Sequence, residues 1–139
     1  MKKSLIGSGL VAAMLLAGCA TPPPAATSTP AASGAQSNFL ACMVSDEGGF
    51  DDKSFNETSY KGLKDAEKQL GIKVDELQSK TVADYAGNVQ KMVERKCNII
   101  VTVGFALGDA TAASAKANPD VDYAIVDYSY KEPERNVKG

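Results

Sequence analysis

Cys19 is the residue of this chain with the plainest chemistry. It follows Met14-Leu15-Leu16-Ala17-Gly18, an apolar run ending on small residues, and this order is the pattern of a bacterial lipoprotein signal. Lys2 and Lys3 supply a positive start. Residues 5–16 supply an apolar stretch of roughly a dozen, inside the about 7 to 15 of a signal peptide and short of the about 20 of a membrane-spanning helix. Cleavage before Cys19 would free its amine beside the side-chain thiol, both able to carry acyl chains such as palmitate, leaving the mature chain anchored to a membrane rather than spanning it. Three segments are expected: a signal peptide over 1–18, a lipidated tether over 19–37 and a folded region over 38–139. The tether reading rests on Pro22-Pro23-Pro24 and on alanine, serine and threonine without aromatic or charged residues, a composition that cannot bury a core.

Composition narrows the chemistry further. The 139 residues include no histidine, which removes the usual general base and the commonest transition-metal ligand. An enzyme, a metal site and a cofactor are therefore not expected. Fifteen basic against 17 acidic residues give a net charge of −2, and loss of Lys2 and Lys3 with the signal takes it to about −4, a balance that disfavours nucleic acid.

The elements that must position any site read as alternating strand and helix. Phe39-Leu40-Ala41-Cys42-Met43-Val44 has the length and continuity of a strand buried on both faces, and Gly48-Gly49 marks the turn out of it. Ser54-Phe55-Asn56-Glu57 has the order of a capping box, which predicts a helix whose apolar face carries Phe55, Leu63, Ala66 and Leu70 and which stops at Gly71. Residues 72–77 alternate as a more exposed strand. Tyr85, Val89, Met92 and Val93 mark the inner face of a second helix. Ile99-Ile100-Val101-Thr102-Val103 is the strongest strand, followed by an alanine-rich helix ending near Pro119 and a fourth strand, Tyr123-Ala124-Ile125-Val126. Val137 looks like the opening of another.

This alternation implies an α/β fold, a parallel sheet with helices on both faces. Ligands in such sheets bind beyond the carboxyl ends of the strands. The loops on that edge cover residues 46–53, 79–84, 104–109 and 127–132.

Val44-Ser45-Asp46-Glu47-Gly48-Gly49-Phe50-Asp51-Asp52-Lys53-Ser54-Phe55-Asn56, with Ile100-Val101-Thr102-Val103-Gly104-Phe105 and Pro119-Asp120-Val121-Asp122-Tyr123-Ala124-Ile125-Val126-Asp127, resembles the basic membrane protein family. These are lipid-anchored, purine-nucleoside-binding receptors of ABC importers with the type I periplasmic-binding-protein fold. The resemblance covers nearly all of residues 38–139 and implies the N-terminal lobe of such a receptor, with a second lobe missing here. It also implies an anchored location on the extracytoplasmic face of the cell membrane, with an ABC permease and ATPase as partners.

The resemblance assigns ligand-binding roles. Phe55 would stack on a nucleobase, and Asn56 would read the base edge or the ribose with its donor and its acceptor. Asp46 and Asp127 would accept hydrogen bonds from base or sugar, while Gly104 and Phe105 would line the edge of the cleft. Asp51, Asp52 and Asp109 are weaker candidates. Adjacent carboxylates ahead of a helix also favour its positive end, and Asp109 reads equally as a helix N-cap.

Two rival folds fail on particular residues. A phosphorylated receiver domain needs an aspartate ending the third strand, where Gly104 stands, and a dinucleotide site needs Gly-x-Gly-x-x-Gly after a strand. A surface lipoprotein acting as an adhesin or a ligand sensor would use the same lobe without transport. Cys42 and Cys97 lie in neighbouring strands of an exported domain, where disulfides persist, and the sequence leaves a bond and two buried thiols both open.

Overall fold

The structure, a computed structural model, describes residues 38–139. The signal peptide, the tether and Cys19 lie outside the described residues. The elements run β1 (Leu40–Ser45), α1 (Phe55–Leu70), β2 (Lys73–Gln78), α2 (Tyr85–Glu94), β3 (Ile99–Val103), α3 (Gly108–Ala117), β4 (Asp122–Val126) and β5 (Val137–Lys138). Short 3-10 turns at Val82–Asp84 and Phe105–Leu107 lead into α2 and α3. All strand pairs are parallel and the order is β2-β1-β3-β4-β5, so the strand expected at Val137 forms and extends the sheet.

Side chains alternate across the pleat and give each face its own core. Cys42, Val44, Ile100, Tyr123 and Ile125 point to the face covered by α2 and α3, where they meet Tyr85, Val89, Met92 and Ala115. Ala41, Met43 and Val103 point to the opposite face and pack with Leu63 of α1. Helices therefore cover both faces, as the alternation implied. Buried hydroxyls fasten α3 to the sheet: Thr102 Oγ1 and Thr111 Oγ1 lie 2.8 Å apart, and Thr111 Oγ1 donates to the Leu107 carbonyl.

Cys42 and Cys97 are bonded, with Cα atoms 5.9 Å apart. Cys97 lies two residues ahead of β3, and the β1–β3 register, with Ala41 beside Ile99, sets it near Cys42.

Local signals at the start of α1 compete, and the capping box is not the winner. Ser54 occupies the N-cap position but its side chain makes no capping bond. The carboxylate of Asp52 accepts instead from the amides of Ser54, Asn56 and Glu57, at 2.8, 3.2 and 3.1 Å. An ionised carboxylate makes stronger bonds to these amides than a hydroxyl does. The expected apolar face also shifts. Leu63 is buried, but Phe55 is 52% exposed and Leu70 lies open at the far end. Asp109, read as an N-cap, is an exposed first-turn residue of α3 behind Leu107 and Gly108.

Candidate functional site

The carboxyl ends of β1, β3 and β4 bring Asp46, Gly104 and Asp127 onto one edge of the sheet. Asp46 is held from three sides. Its amide donates to the Val103 carbonyl at 3.1 Å, and its Oδ1 accepts from the Gly48 amide at 3.0 Å and from Asn56 Nδ2 at 2.7 Å. Oδ2 lies against Gly104, where a β-carbon would stand only 2.2 Å from it, and Gly104 has φ +109. Glycine at 104 is thus what allows the carboxylate of Asp46 to lie there.

Asn56 is 2% exposed, and its Nδ2 donates to Asp52 as well as Asp46, tying the two carboxylates together. Its Oδ1 is buried with no partner. The structure therefore places Asn56 beneath the edge, as a brace for Asp46, while Phe55, its chain neighbour, stands out on it. Phe105 is more open still, at 67%. Asp51 is exposed beside the cap.

The cap itself carries a pH signature. Desolvation acts to raise the pKa of Asp52, but the amides of Glu57, Ser54 and Asn56 and the Asn56 side chain outweigh it and hold the carboxyl below 3.8. A lowered native pKa gives stability that is present above the unfolded value and lost as pH falls through the native one. Asp52→Ala should therefore lower Tm at neutral pH, with the gap from wild type closing below about pH 4. Melting curves across that range check it, and a gap that persists unchanged to about pH 2 would exclude the ionised cap.

Three further contacts fix the loop after β1. Glu47 accepts from the Tyr85 hydroxyl at the start of α2, and burial together with this bond pushes the Tyr85 pKa up. Phe50 stacks on Tyr60 at 4.7 Å. Gly49, with φ +74, is buried against the Gln78 side chain at the end of β2.

Asp127 is exposed and has φ +67, a left-handed conformation that is uncommon for residues other than glycine. Strain of this kind clusters at functional sites. Tyr128 follows it on the same edge, 38% exposed. Tyr128 lies in the loop 127–132, but nothing in its residue type singles it out there. Its signal in the sequence is its place two residues past a strand end, since an exposed aromatic cannot be told from a buried one by residue type. Among the described residues, no group of three histidine, cysteine, aspartate or glutamate side chains could hold a metal ion, and no helix is long and apolar enough to cross a membrane.

Comparison with known proteins agrees with this architecture. Over its whole length the chain is similar to the ABC transporter nucleoside-binding protein BmpA of Lactococcus lactis, with 31% identity across 99% of this chain and 40% of the relative. It is 36% identical to Basic membrane protein D of Borreliella burgdorferi over 62% of this chain and 25% of that protein. The chain thus spans less than half the length of these relatives. Among solved structures, an ABC transporter solute-binding protein from Aeropyrum pernix superposes with a TM-score of 0.64 at 28% identity, covering 71% of this chain and 27% of that one. A putative lipoprotein fragment from Peptoclostridium difficile, at 22% identity over 71% of this chain and 81% of its own, shares the fold with a TM-score of 0.66. The family model for PnrA-like ABC transporter substrate-binding proteins matches residues 39–139, all but the first of the described residues, and the chain belongs to that family.

Proposed function

We propose that residues 38–139 form one wall of a cleft that holds a purine nucleoside, in a substrate-binding protein anchored outside the cell membrane through lipid on Cys19 and serving an ABC permease and ATPase. The observation that carries this reading is the composition of one sheet edge. Exposed flat rings, Phe55 and Phe105, stand there beside the fixed carboxylate of Asp46 and the strained Asp127. Rings bind the faces of a planar base, and carboxylates accept from its N–H groups or from sugar hydroxyls. Nothing in this arrangement calls for a reaction. Binding would draw a second lobe over the edge by hinge motion, and the closed form would be the one that the permease accepts.

Titration calorimetry of the full-length protein tests the site. Phe55→Ala should weaken every nucleoside by about 5- to 150-fold, the equivalent of about 1 to 3 kcal/mol for base stacking. Asp127→Ala should act mainly on ligands with intact ribose hydroxyls, and equal losses for ribose and deoxyribose forms would remove that role. Wild-type protein that binds no nucleoside would sink the reading as a whole. The anchor is tested separately: Cys19→Ala should abolish lipid labelling, and an unmodified Cys19 in the mature wild-type protein would rule the anchor out.

A further inference from the structure

Of the large apolar side chains left exposed, Phe39 and Leu70 lie at the amino edge of the sheet, while Phe55, Val82, Phe105 and Tyr128 lie in loops or at helix starts on the carboxyl edge. Tyr128 differs from the other three in how it is held. A β-carbon on Gly108 would lie 2.9 to 3.1 Å from Cζ, Cε1 and Cε2 of Tyr128, so the ring rests directly on the first residue of α3. The Tyr130 ring meets it edge-on, with centroids 4.9 Å apart at 69°, and the Tyr130 hydroxyl donates to the Gly108 carbonyl at 2.8 Å. The ring is therefore supported from beneath by glycine and from the side by a tyrosine that is itself anchored to that glycine. More than a third of the surface of Tyr128 as a residue remains open to solvent.

A ring fixed before the ligand arrives loses little freedom on binding, and a rigid aromatic contact is worth more for that reason. Solvation alone does not account for a large ring held this way next to a strained aspartate. The support acts on ring carbons, Cζ, Cε1 and Cε2, and the flat face of such a ring is what stacks on a planar ligand.

We propose that Tyr128 is a ligand-contacting, specificity-determining residue of this edge, stacking on the planar base, and that Tyr130 is its positioning residue. The inference rests on the nucleoside-cleft reading and deepens it. Phe55 opens α1 after the loop that leaves β1, and Tyr128 lies two residues past β4 against the start of α3; β1 and β4 are separated by β3 alone. Both rings stand on the carboxyl edge of the sheet, where one planar ligand can meet them. A ligand without a flat ring would lose both contacts together.

The test uses the full-length protein, titrated calorimetrically with adenosine, guanosine, inosine and free ribose. Tyr128→Leu is the decisive variant, because leucine still covers Gly108 but has no flat face. It should weaken all three nucleosides about tenfold or more, whereas Tyr128→Phe should bind them within about twofold of wild type. Tyr130→Phe should weaken binding about threefold alone and add nothing on the Tyr128→Leu background, the non-additivity expected of residues acting through one contact. Free ribose should bind wild type and Tyr128→Leu alike. Nucleoside binding by Tyr128→Leu at the wild-type level, with Phe55→Ala still impaired, would overturn this proposal and leave the cleft reading standing. Wild-type binding by both variants, or no binding by the wild-type protein, would overturn the two together.

Discussion

Replacing Cys42 and Cys97 by alanine is expected to lower the unfolding free energy of the folded region by about 4 kcal/mol, the loop-closure entropy of a cross-link across 55 residues. Small domains have only about 5 to 15 kcal/mol in total, so the double variant should be barely folded at physiological temperature. Both cysteines are almost wholly buried, so reductant should act on the wild-type protein only as fast as it opens. Denaturant titrations of oxidised wild type and of Cys42→Ala/Cys97→Ala measure the difference. A gap under about 1 kcal/mol would show that the cross-link does not constrain the unfolded chain as loop-closure theory requires. Two free thiols in unreduced, denatured protein would show that the bond had not formed.

Gly104→Ala should be the most damaging single change at the site. The new β-carbon would meet Asp46 at 2.2 Å from Oδ2 and 2.8 Å from Cγ, and the backbone would be held at φ +109. Strain in such a region costs about 1 to 3 kcal/mol. The collision adds a second loss, since Asp46 can move only by giving up the Gly48 amide or Asn56. Lower stability and at least about tenfold weaker nucleoside binding are therefore expected together, as for other lost charged hydrogen bonds. Gly62→Ala is the control. Gly62 sits inside α1 with nothing within 4 Å of its would-be β-carbon, so alanine there should stabilise by about 0.5 to 1 kcal/mol. A Gly104→Ala protein with wild-type Tm and affinity would show that Asp46 does not need its observed position.

The sequence made the sheet legible because burial on both faces leaves an unmistakable mark. Continuous apolar runs such as 39–44 and 99–103 read as inner strands, and they form β1 and β3, each of which has a strand on both sides. The alternating 72–77 read as exposed, and β2 is an edge strand. Less legible were features decided by competition between neighbours. Ser54 and Asp52 can each cap α1, and the choice depends on the path of the turn rather than on residue type. Asn56 offers the same groups whether it faces a ligand or braces a carboxylate, and only the fold sets it at 2% exposure beneath Asp46. Tyr123 and Tyr128 are the same residue five positions apart; the pleat buries one, and the chain leaving the sheet exposes the other. The pairing of Cys42 with Cys97 depended on strand register, which no local pattern specifies.

The position of β1 between β2 and β3 has a consequence for the order of folding. Among the described residues, the first strand to emerge from a growing or translocating chain is an inner one, and its second neighbour ends only at Val103. Until then, Leu40 to Val44 have an unpaired flank and a face without its helix, because α2 and β3 both come later. Parallel pairing over such separations is slow, and incomplete sheets of this kind are prone to aggregate. A chain built this way must be kept extended or shielded for its first hundred residues, a condition that passage through a membrane before folding would meet by default.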